Sequence, residues 1–339
     1  MDTTATTTIP RRNWKRIAMT AAALALTAFL FALFIRRAGD MAELSATIKS
    51  TFKRPDWLVA GVGLFSVSLM CGMLRWFILL KTLKLPVPFW VAFRLYATGH
   101  FFNILGPGAT GGDIVKAAWL ASNMSAGQRT AAVTSIAAER LIGLMAMIVF
   151  VTFIAFFRAD FFAKDALMTV VRHGIMLAFV GAVAIFVLLT AINWEKLAGK
   201  IKTRDGSFVA KALAMMVKIW RTFKICLSHP AAASGAFALS IANHITDVCC
   251  YFLLSRALSM TLLFKDMMAI SPISNTIAAA PLTPGGAGMR ENALQYMMTV
   301  ANVPTTQSTA LGLLMFASIV FWALIAGCIM LAGRHHRAA

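Results

Sequence analysis

Charge is scarce in this chain and acidic charge scarcer still. Of 339 residues, 32 are Lys or Arg and only 13 are Asp or Glu, so charged residues make up 13%. A soluble domain carries about 25% charged residues, so an ordinary globular enzyme is excluded at once. Cysteine is also sparse. Cys71, Cys226, Cys249, Cys250 and Cys328 show no metal-type spacing, and all but Cys226 lie in apolar runs. This excludes a zinc framework and points to membrane packing rather than disulfides. No G-x-x-x-x-G-K-[ST] loop is present, which removes the obvious site for driving work with ATP. No H-E-x-x-H and no nucleophile elbow is found either. The loops between apolar runs are too short to hold a soluble catalytic domain. The expectation is therefore a protein that is not an enzyme and that needs no cofactor or metal.

What the sequence does have is hydrophobicity. Apolar residues reach 59% and mean hydropathy is +0.76. Uninterrupted apolar runs predict membrane spans at 17–35, 57–80, 127–157, 168–192, 231–258 and 306–332, each near the ~20 residues a bilayer requires. The first run follows a basic stretch (Arg11, Arg12, Lys15, Arg16) and ends in Arg36-Arg37 with no clear cleavage site. It reads as a retained span, not a signal peptide. A net charge of +19 raises the question of nucleic acid. The basic residues, however, cluster between apolar runs and at both termini, as topology charge does. No nucleic-acid partner is expected.

Two further apolar segments, 88–123 and 265–301, are each broken in the middle by Gly and Pro. One holds Gly106-Pro107-Gly108-Ala109-Thr110-Gly111-Gly112, the other Pro281-Leu282-Thr283-Pro284-Gly285-Gly286-Ala287-Gly288. Such backbone cannot stay helical, and its unpaired groups cannot face lipid. Each segment reads as a re-entrant helical hairpin whose tip is buried in protein or lines a cavity. Gly111 and Gly285 are expected to need close backbone approach or positive φ.

The basic stretch 194–226 sets the orientation: it should be cytoplasmic, together with both termini. The basic loop 36–56 then falls outside, against the trend. Within 194–226, Phe208, Ala212, Met216, Ile219 and Phe223 share one helical face, with Lys211, Lys218, Arg221 and Lys224 largely on the other. That pattern suits an interfacial helix on the inner leaflet, or a loop helix with no lipid role. Threading makes 88–123 begin and end inside and 265–301 begin and end outside. A shift of 177 residues maps Pro107-Gly108 onto Pro284-Gly285 and Gly111 onto Gly288. The chain thus reads as two halves, 1–157 and 168–332, related as inverted repeats within one transmembrane domain. The predicted class is an all-α polytopic membrane bundle with broken helices, an architecture of transporters.

Ionisable residues within spans mark function by default. Asp113 follows the first break, Glu139-Arg140 lies in span 127–157, Asp247 in span 231–258, and Arg290-Glu291 follows the second break. Helix restarts near 112 and 288 would present free N–H groups and positive dipole ends. Two such restarts, helped by Arg140 and Arg290, would make an anion site. Asp113 and Glu291 could instead cap those helices. Ser240, Asn243, His244 and Asp247 fall on one face at i, i+3, i+4 and i+7. That stripe suits either a headgroup path or a hydrogen-bonded helix contact.

The run Phe101-Phe102-Asn103 into Pro107-Gly108-Ala109-Thr110-Gly111-Gly112-Asp113, then Glu139-Arg140, then Pro281 to Glu291, resembles the transmembrane flippase-like domain of lysylphosphatidylglycerol synthases. The resemblance covers nearly the whole chain. Lys116 stands where that family usually has Arg, and Glu139 where it often has Asp. The lysyl-transferring domain is not in the sequence. The resemblance therefore implies moving a lipid between leaflets of a bacterial inner membrane, not making one. On it, Gly108, Gly111, Gly112, Asp113, Lys116, Glu139, Arg140, Asn243, His244, Asp247, Pro284, Gly285, Gly286, Gly288, Arg290 and Glu291 are the expected substrate-binding residues. The expected partner is a membrane lipid with an anionic or zwitterionic headgroup, with a second copy or a lipid-synthesis enzyme as protein partner. Rival readings are a membrane-embedded transferase on a lipid-linked substrate and a non-transporting partner of such an enzyme.

Overall fold

A computed structural model describes residues 14–105, 111–192, 208–280 and 282–332. The expectations for Gly108, for the basic residues of 194–207 and for both basic termini lie outside these residues. Among the described residues the chain is helical, with no strand. The helices are α1 (Trp14–Arg36), α2 (Met41–Ser50), α3 (Pro55–Thr82), α4 (Phe89–Leu105), α5 (Gly111–Asn123), α6 (Ala126–Phe157), α7 (Ala159–Phe162) and α8 (Ala166–Ala191). They continue with α9 (Phe208–Leu227), α10 (Pro230–Ala257), α11 (Phe264–Ala278), α12 (Met289–Val300) and α13 (Thr305–Ala332). Five of them, α3, α6, α8, α10 and α13, are long and apolar enough to cross a membrane, or up to six spans if the bent α1–α2 pair counts as one. The predicted span limits agree with these helices to within three residues.

The ends of the helices follow from local chemistry. Pro55 and Pro230 open α3 and α10, where a missing N–H costs nothing. Asp40 caps α2 through the Ala42 N–H at 2.8 Å, and Asp165 caps α8 through Leu167 and Met168. The chain bends by 89° between α1 and α2. The Ala38 carbonyl at that corner accepts from Thr306 Oγ1 at the start of α13.

The central contact is α3 against α10, where Gly61 lets Leu254 approach closely. Around that pair, α4 packs on α13 and α11 on α6. At one end of the bundle Arg158 bridges to Asp266 at 2.8 Å and Tyr296 donates to Asp165. The Arg158 guanidinium also holds the Asp160 carboxyl below the usual carboxylate range. Large apolar side chains cover the outer surface. Leu177, Val180 and Val170 of α8 are 62–73% exposed, as suits a lipid-facing helix.

The α9 helix adds a packing contact to the face read from the sequence. Among its described side chains Trp220, Thr222, Phe223 and Cys226 are buried, whereas Met216 is half exposed; those of Phe208, Lys211 and Ala212 lie outside the described residues. The reason is tertiary. Leu79, Ala138, Ile142 and Ala236 present an apolar wall, and Thr222 hydrogen-bonds Thr134 of α6 at 2.6 Å. The end of α9 therefore docks on the bundle, leaving Lys218, Arg221 and Lys224 exposed.

Candidate functional site

The two helix pairs fold back on themselves. In the first, Tyr96 lies near Lys116, and Gly99 touches Gly112. A Cβ on Gly112 would sit 2.0 Å from the Gly99 carbonyl oxygen, so only glycine permits this crossing. The α5 terminus is capped across the hairpin: Gly112 N–H donates to Asn103 Oδ1 at 2.8 Å. In the second, Ala278 abuts Gly286, which has φ +71° and room for no Cβ, the Ala278 carbonyl oxygen being 2.4 Å away. Gly288 N–H donates to Glu291 Oε2 at 2.7 Å. The capping role considered for Glu291 is thus realised, while the capping side chain on α5 is Asn103 rather than Asp113.

The second break meets the end of α4. A Cβ on Gly285 would lie 3.5 Å from the Asn103 carbonyl oxygen and 3.7 Å from Ile104 Cα. Beside this meeting point is a cavity of about 720 Å³. Its walls are apolar on the α1 and α13 side, with Leu24, Phe31, Met315 and Phe316. Its polar side chains are Thr27, His100, Asn103, His244, Asp247, Asn275 and Arg290. Arg290 is buried and donates through Nε at 3.0 Å and through Nη2 to Glu291 Oε1. Adjacent in sequence, these two do pair.

The α10 stripe divides. Asn243 donates to the Ser68 carbonyl at 3.2 Å and to its hydroxyl, and Ser240 accepts from Arg75 at 3.1 Å. Those two are helix contacts. His244 and Asp247 reach the cavity. Ser68 Oγ donates to Asp247 at 2.7 Å, and the His244 ring stacks on Phe150 with its Nε2 unpartnered.

A second, smaller pocket of about 70 Å³ is lined by Arg75, Tyr96, Gly99, His100, Asn103, Lys116, Glu139 and Arg140. Its charges form a chain. Arg75 meets Glu139 at 3.0 Å, Lys116 meets Glu139 and Asp113 at 3.1 Å each, and Arg140 meets Asp113 at 2.7 Å. Lys116 also lies 4.8 Å from the Trp76 ring and 5.3 Å from the Tyr96 ring. Glu139 and Arg140, adjacent in sequence, therefore take different partners. The single anion site expected from Arg140 and Arg290 resolves into two places: Arg290 lines the large cavity and Arg140 the small pocket, with His100 and Asn103 common to both. Sequence reasoning passed over Arg75. The signal was there, an arginine inside the apolar span 57–80.

The fold and site define a class: a polytopic helical membrane protein with a polar-ended cavity beside the helix pairs α4–α5 and α11–α12. The family match is specific. Residues 20–327 match the family described as the lysylphosphatidylglycerol synthase TM region, and the chain belongs to it. It is also similar to a UPF0104 membrane protein of Pyrococcus horikoshii, 21% identical over 311 residues, covering 86% of this chain and 92% of that protein. Family membership gives the chain a membrane-lipid setting.

Proposed function

We propose that this protein carries the headgroup of a phospholipid across the bilayer through the 720 Å³ cavity while the tails stay in lipid. The cavity itself is the observation behind this reading. One side is apolar, and the other presents Arg290, Asp247 and two histidines where the end of α4 meets Pro284 and Gly285. An amphiphile with a phosphate matches that division, and a guanidinium is the side chain best suited to a phosphate oxygen. In this reading the hairpins are re-entrant and the halves are inverted repeats. The reciprocal packing of α4 on α13 and α11 on α6 supports that symmetry. The basic end bearing Lys218, Arg221 and Lys224 faces the cytoplasm of a bacterial inner membrane.

The test is translocation in proteoliposomes, with a headgroup-labelled phospholipid and a membrane-impermeant quencher. Wild type should expose label from both leaflets. Arg290→Gln should fall to the protein-free background. The Arg290→Gln/Glu291→Gln double variant should regain thermal stability without regaining transport, because its buried charges are removed together while Gln still accepts from Gly288. No translocation of any phospholipid class by folded wild type would refute the proposal.

A further inference from the structure

We infer that a narrow slot of about 160 Å³ between α3, α4 and α13 is a binding site for one acyl chain of a membrane phospholipid. The slot is lined at positions 66, 69, 70 and 73 of α3, 93, 96, 97 and 100 of α4, and 322, 325, 326 and 329 of α13. Each helix thus contributes one stripe at i, i+3, i+4 and i+7, the spacing of residues that share a helix face. Three stripes of equal length make a groove that follows the helices for about 10 Å, at about 1.5 Å per residue. Positions 66–73 straddle the midpoint of α3, a helix long and apolar enough to cross a membrane. The slot therefore lies at the depth of lipid chains, not of headgroups.

Its chemistry suits a chain. No Asp, Glu, Lys or Arg lines it. The polar atoms of its walls are turned to the protein. Ser66 Oγ donates to the Gly63 carbonyl and Trp322 Nε1 to the Val62 carbonyl, each at 2.7 Å, and the Tyr96 hydroxyl lies against Gly72. Water does not fill such a space: an apolar cavity of about 150 Å³ stays dry and takes benzene instead. By that measure the slot holds roughly six carbons.

Shape narrows the occupant further. Six carbons spread over about 10 Å lie in single file, as they do in an extended acyl chain. A helix from a second copy, about 10 Å across, is too wide to enter. Met73 and Ala326, 1% and 4% exposed, form the floor, and Met70, 38% exposed, stands at the rim toward the bilayer. His100, the remaining polar residue, ends the α4 stripe and also lines the large cavity, so the chain slot and that cavity share a wall. This inference needs only binding and does not depend on transport.

Photolabelling of the full chain in proteoliposomes tests it. The vesicles contain a phospholipid with a diazirine midway along one acyl chain, and labelled residues are mapped by peptide mass spectrometry. Wild type should label the three slot stripes at least tenfold more strongly than Val170, Leu177 and Val180, which face lipid from the open surface of α8. Ala97→Leu fills the slot from α4 and should cut slot labelling at least tenfold while labelling of α8 stays the same. Ala326→Leu fills it from α13 and should give the same result, so the test survives if one of the two variants does not fold. Arg290→Gln, in the large cavity, should label the slot as wild type does, which separates this site from headgroup transport. Slot labelling no stronger than that of α8, or undiminished labelling in a folded filled variant, would overturn the inference, whether or not the protein moves lipid.

Discussion

Glu139→Gln is the sharpest test of how the small pocket holds together. Glu139 is 2% exposed and accepts from Arg75 Nη2 at 3.0 Å and Lys116 Nζ at 3.1 Å. Its replacement by Gln keeps the shape and removes the charge that both cations share. Breaking a buried pair by removing one partner costs about 3–5 kcal/mol, against about 0–1 kcal/mol for an exposed pair. The lower part of that range applies here. Lys116 keeps Asp113 at 3.1 Å, and Arg75 keeps Ser240. We expect a loss of about 3 kcal/mol, because the stranded charge is chiefly that of Arg75. The double variant Glu139→Gln/Arg75→Gln removes that stranded charge and should recover more than half of the loss. Reversible unfolding in mixed micelles, followed by tryptophan fluorescence, measures both. A Glu139→Gln cost under about 1 kcal/mol, or a double variant no more stable than the single, would refute the buried-network reasoning.

The remaining expectations concern the hairpins and the topology. Gly112→Ala should abolish folded yield, because its Cβ would lie 2.0 Å from backbone, whereas Gly99→Ala should express normally; size-exclusion profiles of the two separate these outcomes. Gly286→Ala combines a left-handed φ of +71° with a 2.4 Å backbone clash and should be as damaging, so a monodisperse, stable Gly286→Ala protein would contradict the described tip. Asn103→Ala removes the cap on Gly112 N–H and should cost about 1 kcal/mol in the same unfolding assay, with Asn103→Asp retaining most of the stability. A cysteine at exposed position 218, on a background lacking the five native cysteines, should label from the cytoplasmic side alone; rapid labelling of intact cells would reverse the orientation.

The sequence by itself determined where the helices run and where two of them break. Hydrophobicity and the restrictions of Pro and Gly act over neighbouring residues, so span limits and the restarts at Gly111 and Met289 were legible without a fold. The family was legible too, in the Gly-rich motifs. Tertiary structure alone decided which cation meets which carboxylate. Arg75 and Glu139 are 64 residues apart, and Lys116 and Glu139 are 23 apart on different helices. Their meeting depends on how α3, α5 and α6 rotate and pack, which no local pattern encodes. The same holds for Asn103 capping a helix across a hairpin, for Ser68 claiming part of the α10 stripe, and for α9 burying Trp220 instead of Met216. Local physics places polar groups along each helix; only packing selects the neighbours that neutralise them.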